Sequence, residues 1–109
     1  RDKRRNQKGG NLMYARAVNM QFQPVKIDEA NRIVKESVIP VLREQKGFRG
    51  QLFLTQHDTS KAISINLWET EADLTAFETS TVYRELMGKI GGILAGPPVG
   101  ERYEVGVQE

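Results

Sequence analysis

The sequence predicts an α+β fold with the element order βαββαβ, a ferredoxin-like arrangement in which a four-stranded antiparallel sheet carries two helices on one face. Apolar residues alternate with a period of two in four segments, as in strands, and recur with the helical period in two others. Glycine, proline and short polar turns separate these segments. Both crossovers are long enough to pack back across the sheet in the right-handed sense.

The first half of the chain holds one strand and one long helix. Residues 14–22 alternate between apolar and small or polar side chains, which predicts the first strand, and Pro24 ends it. Apolar positions between residues 27 and 45 recur on one helical face. We expect Pro40 to bend this helix without ending it, because the apolar stripe continues beyond the proline. Gly47 supplies the stop.

The second half begins with a hairpin that runs directly into a helix. Residues 49–57 and 61–69 predict two strands joined by the polar turn 58–60. The period then changes at Thr70, which is suited to cap a short helix over residues 71 to about 78.

A second helical segment and a last strand complete the chain. Thr81 is the expected cap of a helix that continues through Ile90. Glycines and prolines between residues 91 and 98 break the chain, and the alternation of residues 101–107 predicts the final strand.

The sheet face without helices is expected to be too apolar for solvent. We predict that it carries a set of mostly apolar or uncharged side chains: Ala15, Ala17, Asn19, Phe53, Asn66 and Trp68. A second copy of the chain would cover such a face most simply as a two-fold homodimer.

Composition excludes several classes of protein. The 109 residues correspond to one domain, and the lack of cysteine excludes disulfides and favours a reducing, cytoplasmic compartment. No apolar run approaches the roughly 18–20 residues of a membrane span. We therefore expect no membrane association.

The positive charge is concentrated at the start of the chain. Residues 1–12 hold five basic residues and one acidic residue, a net charge of +4, whereas the other 97 residues hold eleven basic and thirteen acidic residues, a net of −2. This segment has no aromatic side chain and ends in glycines just before Met13. We interpret it as a disordered basic leader or a remnant foreign to the natural chain, and expect no nucleic-acid partner.

Four runs of residues resemble a known family. They are NLWETEADLTAF at residues 66–77, STVYRELM at 80–87, GPPVGERYEV at 96–105 and VIPVLREQKGFRG at 38–50. They are similar to the antibiotic biosynthesis monooxygenase domain of the dimeric α+β barrel superfamily, and the resemblance covers Met13 to about Val107. It implies a homodimer and a monooxygenase that uses neither metal nor flavin. In such enzymes a deprotonated phenol or quinol passes an electron to dioxygen.

The polyketide-type members of that family keep an Asn and a Tyr around a strand-end Trp. The Trp matches Trp68, but the positions four residues before and six residues after it are Ser64 and Leu74. Asn66 is nearby without occupying the family position. The sequence therefore departs from this catalytic set.

The residue patterns of the haem-degrading and quinol-oxygenase-like members match this sequence no better. The haem-degrading pattern is met at Asn19, but Phe77 and Met87 stand where its Trp and its His ligand would be. Quinol-oxygenase-like members carry a His at the position of Phe77 and another in the segment around Tyr83. We expect no haem-degrading activity, no metal and no cofactor.

Candidate site residues follow from the family resemblance and from unusual polar positions in strands. We take Asn19, Trp68 and Tyr83 as candidate catalytic residues. The candidate pocket residues are Arg16, Asn66, Phe77 and Met87.

Each candidate also has a purely structural interpretation. Trp68 can be a core residue, Asn19 a hydrogen-bonded buried amide, and Tyr83 part of an amphipathic helix. Arg16 can lie at an edge with its charge in water, pair with an acid, or meet an anionic ligand. His57, the single histidine, borders the hairpin turn and is expected to be exposed.

Two functions remain open at this point. The first is a cofactor-independent monooxygenase that acts on a small aromatic or quinol-like substrate with dioxygen. The second is a non-catalytic ligand-binding or stress-related barrel that sequesters a small apolar molecule. It is favoured by the lack of a residue titrating near neutral pH in the expected pocket.

Overall fold

The computed structural model describes residues 12–109, and its element order confirms the predicted βαββαβ arrangement. The strands are β1 (Tyr14–Gln21), β2 (Phe48–Gln56), β3 (Lys61–Trp68) and β4 (Val99–Glu104). They form one antiparallel sheet in the order β2-β3-β1-β4. The last strand begins and ends earlier than the predicted 101–107. The predicted basic leader lies outside the described residues, apart from Leu12.

The helices are α1 (Ile27–Ile33), α2 (Ile39–Leu42), α3 (Glu71–Glu78) and α4 (Thr81–Gly91). Within the described part of the chain, no helix is long and apolar enough to cross a membrane.

The first helix bends by widening one turn. A π-helical turn, Val34–Val38, joins α1 to α2, and the amide of Ile39 donates to the carbonyl of Val34 five residues earlier. Pro40 has no amide hydrogen, and its ring would press on the carbonyl of Glu36 in a regular helix. The wider turn relieves that contact, so the expected bend is present as a π-turn.

The junction between β3 and α3 is fixed by a helix cap and a close approach. The Thr70 hydroxyl accepts a hydrogen bond from the Asp73 amide at 3.0 Å. Gly47 has a φ of +83°, and an added Cβ would lie 2.2 Å from the Asp73 carboxylate. The cap of α4 is Ser80, whose hydroxyl accepts from the Tyr83 amide at 3.2 Å. The prediction of Thr81 was therefore wrong by one residue, because Thr81 already begins the helix.

Helices and sheet enclose two clusters of buried side chains. One is centred on Phe22, Ile27 and Ile90, and the other on Trp68 and Leu74. Val38, in the π-turn, packs against both clusters.

The open face of the sheet differs from the prediction. Trp68, Asn66 and Phe53 lie on the helix-covered face, because even positions of β3 point to the helices and Phe53 pairs with Ser64 in register. The residues predicted correctly on the open face are Ala15, Ala17 and Asn19. They are joined there by a more apolar set: Leu52, Leu54, Ile63, Ile65, Leu67 and Val99. The open face is therefore largely apolar, as expected, although Asn19 and Glu101 also lie on it.

Candidate active site

A small cavity lies between the helix-covered face of the sheet and the helices, where the two buried clusters meet. Its volume is about 50 Å³, measured as the space open to the centres of water molecules, which is room for a few waters. Most of its wall is apolar and comes from the sheet, the π-turn and the second pair of helices: Val18, Met20, Val34, Val38, Leu42, Phe53, Phe77, Leu86, Met87 and Ile90. Five polar side chains join them: Arg16, Gln51, Ser64, Asn66 and Tyr83.

A row of polar side chains crosses the sheet beneath this cavity. Gln51 pairs with Asn66 across β2 and β3, Asn66 pairs with Arg16 across β3 and β1, and Arg16 pairs with Arg102 across β1 and β4. Because paired residues point to the same face, these four form one line perpendicular to the strands, which we call the polar row. The neighbouring positions on the same strands, Val18 and Phe53, are apolar. In that neighbouring line only Ser64, between Val18 and Phe53, is polar, so the polar row holds most of the polar groups beneath the cavity.

Arg16 holds the aromatic ring of Tyr83 at the cavity. Its Nε donates to the Glu78 carboxylate at 2.9 Å, and one terminal nitrogen donates to the Tyr83 hydroxyl oxygen at 2.6 Å. The guanidinium carbon also lies 4.7 Å from the centre of the Tyr83 ring. The side chain is only 13% exposed. Of the three interpretations left open for Arg16, the structure selects pairing with an acid, and it adds contact with the cavity.

Glu78 is shared between the two arginines of the polar row. One carboxylate oxygen accepts from Arg16 and the other from Arg102, which also bonds to Glu71 at 3.1 Å and to the Thr75 hydroxyl. The hydrogen bond to Glu78 raises the pKa of Arg102 above its ordinary value. Like charges facing each other across a sheet are normally unfavourable. Here a carboxylate from α3 bridges them.

Asn66 is buried and half satisfied. Its Oδ1 accepts from the indole nitrogen of Trp68 at 2.7 Å, which fixes the amide plane. No described residue accepts a hydrogen bond from its Nδ2, so that NH₂ group remains available to a ligand in the cavity. Trp68 itself is fully buried and stacks on Phe77 with ring centres 4.8 Å apart. It is a core residue that positions Asn66 and stands behind the cavity wall.

Gln51 and Ser64 are cavity residues that sequence reasoning did not select. The Gln51 side-chain nitrogen donates to the Ser64 hydroxyl at 2.8 Å, and its Oε1 is buried with no donor among residues 12–109. Ser64 appeared in the sequence only as a departure from a family pattern. The available signal was polarity at alternating positions of two paired strands.

The structure brings together most of the candidates and separates one. Arg16, Asn66, Phe77, Tyr83 and Met87 all line the cavity. Asn19 is exposed on the opposite face of the sheet, in an open groove beside Leu54, Ile63 and Val99. It therefore does not share a site with Tyr83.

His57, the remaining titratable candidate, lies away from the cavity. His57 is exposed as expected, and its Nε2 lies 2.9 Å from the Asp28 carboxylate at the surface. Between residues 12 and 109, no group of three or more His, Cys, Asp or Glu side chains is placed to hold a metal ion.

Solved structures share the fold. A monooxygenase from the gene ActVA-Orf6 of Streptomyces coelicolor, determined in complex with the ligand nanaomycin D, superposes with a TM-score of 0.78 at 18% identity and covers 90% of this chain and 91% of that one. The NE2512 protein of unknown function from Nitrosomonas europaea gives a TM-score of 0.75 at 18% identity, covering 90% and 93% of the two chains. At this identity the likeness concerns the fold.

Sequence comparison identifies relatives and the family. The uncharacterized protein Rv2557 of Mycobacterium tuberculosis is 30% identical over 102 residues, which are 93% of this chain and 44% of that protein. The chain thus spans less than half the length of the curated relatives it matches. A profile of the antibiotic biosynthesis monooxygenase family matches residues 13–89. Because this match extends over most of its length, the chain belongs to the antibiotic biosynthesis monooxygenase family.

Proposed function

We propose that this protein is a monooxygenase that oxidises a small aromatic, quinol-like substrate with dioxygen and without a cofactor. The observation that carries the proposal is the Arg16–Tyr83 pair, which lies in an apolar cavity together with the free amide nitrogen of Asn66. Since the Tyr83 oxygen accepts from Arg16, its own proton is free to be donated. All three side chains thus offer hydrogen-bond donors to an oxygen atom in the cavity.

A quinol supplies the electrons for this reaction. Loss of a proton from one hydroxyl gives an anion whose charge spreads onto the adjacent ring carbon, and that carbon transfers one electron to dioxygen. The two radicals combine into a hydroperoxide, which then loses water and leaves a carbonyl on the ring. One atom of dioxygen enters the product and the other leaves as water. The two hydrogens of that water come from one O–H and one C–H of the quinol.

The residues around the cavity fit the charge that this reaction creates. The anion is negative and flat, and Arg16 offers a permanent positive charge held in place by Glu78. In a cavity with apolar walls such donors act more strongly than they would in water. A base from the protein is not required when the substrate ionises by itself.

The alternative is a non-catalytic protein that binds a small apolar or aromatic molecule. It is favoured by one observation, that no described residue lining the cavity is a carboxylate or an imidazole. Binding of hydroquinone with no oxygen uptake would select this alternative.

The proposal also includes a homodimer formed through the open face of the sheet. Leu52 is 59% and Val99 60% exposed on that face, and most of the side chains between them are apolar, with Asn19 as an exception. Burying such a surface against a second copy would remove it from water. We further propose a cytoplasmic location, which the lack of cysteine supports.

Oxygen uptake with hydroquinone tests the proposed reaction. Purified protein treated with a chelator and free of flavin should consume oxygen faster than buffer alone. Tyr83→Phe removes one donor and should lower kcat roughly 10²-fold, whereas Tyr14→Phe, which removes a hydroxyl near Glu104 outside the cavity, should leave the rate unchanged. Equal rates for both variants would contradict the role given to Tyr83.

A further inference from the structure

The described side chains that line the cavity offer a ligand hydrogen-bond donors and no free carbonyl or carboxylate oxygen. Asn66 is buried, and its unpaired Nδ2 keeps some surface open to the cavity. The Tyr83 oxygen accepts from Arg16, so the hydroxyl hydrogen is free to be donated. The two side-chain carbonyl oxygens are not available, because Asn66 Oδ1 accepts from Trp68 and Gln51 Oε1 has no exposed surface. A ligand at this point must therefore supply acceptors.

The positive charge of Arg16 is only partly neutralised. Its side chain is 13% exposed, and Glu78 is the one carboxylate that pairs with it in the described part of the chain. Glu78 is shared with Arg102, which is 34% exposed and also pairs with Glu71. No carboxylate among residues 12–109 lines the cavity. Because a buried charge requires a partner, Arg16 favours a negative ligand in the cavity that it lines.

The size and walls of the cavity restrict the anion that it can hold. A volume of about 50 Å³ for the centres of water molecules corresponds to roughly three or four non-hydrogen atoms. Most of the wall is apolar, so a divalent anion would lose more hydration than the few donors replace. Asn66 and Arg16 are direct neighbours across β3 and β1. A planar anion with two or three oxygens can accept from both sides of this pair at once.

We propose that the polar end of the cavity, formed by Arg16, Asn66 and Tyr83, binds a small monovalent oxyanion of the size and shape of formate or nitrate. Its oxygens accept from the Asn66 amide and the Tyr83 hydroxyl, and Arg16 supplies the opposite charge. The inference goes beyond the proposed function, because anion binding requires neither a quinol nor dioxygen. An anion bound here would compete with an ionised substrate for the same donors.

Formate and formamide test the site as a matched pair, since they have nearly the same shape and differ in charge. The Asn66 side-chain amide signals of ¹⁵N-labelled protein are followed by NMR during each titration, at constant ionic strength and without quinol. Formate should cause saturable shifts and bind at least about 10-fold more tightly than formamide. Shifts that do not saturate with formate, or equal affinities for the two, would overturn the inference. Failure here is distinct from failure of the proposed function, which oxygen uptake tests.

Variants assign the anion to the polar end of the cavity. Arg16→Gln removes the charge and should weaken formate binding roughly 10–100-fold. Tyr83→Phe keeps the charge, removes one donor and should weaken binding about 5-fold, which tests the site even if the Arg16 variant does not fold. Arg84→Gln, on the same helix but exposed, controls for the loss of net charge and should keep the wild-type affinity. Wild-type affinity in Tyr83→Phe, or in a folded Arg16→Gln protein, would overturn the inference.

Discussion

At the scale of single residues, the site depends on one shared carboxylate. Glu78 keeps Arg16 and Arg102 side by side and so holds the guanidinium that contacts Tyr83. Without that carboxylate, two positive charges would face each other across β1 and β4. Its contribution is therefore both to stability and to the position of Tyr83.

Glu78→Gln should lower the free energy of unfolding by about 1–2 kcal/mol, since the side chain loses charge-assisted hydrogen bonds in a partly exposed setting. Urea unfolding followed by circular dichroism measures this change. Glu85→Gln, on the exposed side of α4, is the matched control and should change stability by less than about 0.5 kcal/mol. Similar losses in both variants would mean that Glu78 is an ordinary surface acid.

Individual side chains were predicted less well from sequence than the elements that carry them. Arg16 and Asn66 stand out as polar residues in strands, Tyr83 is a candidate as a possible donor in the second helix, and all three line the cavity. Asn19 also stands out as a polar residue in a strand but lies on the other side of the sheet. A polar residue in a predicted strand is unusual enough to be a candidate site residue. The sequence alone does not show which face of the sheet its side chain occupies.

At the scale of elements, the join between β3 and α3 depends on Gly47, a position with no space for a Cβ. Gly47 has a left-handed backbone, and its carbonyl accepts from the Glu69 amide at 2.8 Å. Its hydrogen atom faces the Asp73 side chain, so there is no room for a Cβ. The start of α3, and with it Phe77 and Glu78, is held by this contact.

Gly47→Ala should destabilise the protein by about 1–3 kcal/mol, because both the positive φ and the Asp73 side chain oppose a methyl group. Gly88→Ala is the control: it lies within α4 with open space around it and should stabilise by roughly 0.5–1 kcal/mol. Thermal unfolding of both variants gives the two signs. A tolerated alanine at Gly47 would contradict the described junction.

The order of the strands and helices was largely predictable from the sequence. The face of the sheet on which each strand residue lies was not. Alternation and helix caps gave the order and most boundaries, because these are local properties of the chain. In β3 both sets of alternating side chains are compatible with burial, and the polar set of Ser64, Asn66 and Trp68 proved to face the helices. That choice depends on packing between the sheet and the helices, where Trp68 stacks on Phe77, and no local pattern contains such a long-range contact. The π-turn before Pro40 was likewise expected only as a bend.

At the scale of the whole molecule, one apolar surface has no cover from the chain itself. The helices pack on one side of the sheet, and the other side presents Leu54, Ile63 and their neighbours to solvent. In a domain of this size such a face is a large share of the apolar surface. The predicted homodimer accounts for it.

Light scattering coupled to size-exclusion chromatography should therefore give a dimer at micromolar concentration. Leu54→Lys places a charge in the proposed interface and should shift the population to monomer, since an unpaired buried charge opposes association. Lys35→Glu, on the exposed side of the π-turn, should remain a dimer. A wild-type monomer at this concentration would contradict the dimer.

The central claim is that the protein binds a quinol in the cavity under the helices and inserts one atom of dioxygen into that quinol. Incubation of the protein with hydroquinone under ¹⁸O₂, followed by mass spectrometry of the quinone product, tests this claim most directly. We predict one ¹⁸O atom in each product molecule, the second appearing in water, and a strongly reduced yield with Tyr83→Phe. A product without ¹⁸O, or a labelled product formed equally without protein, would contradict it.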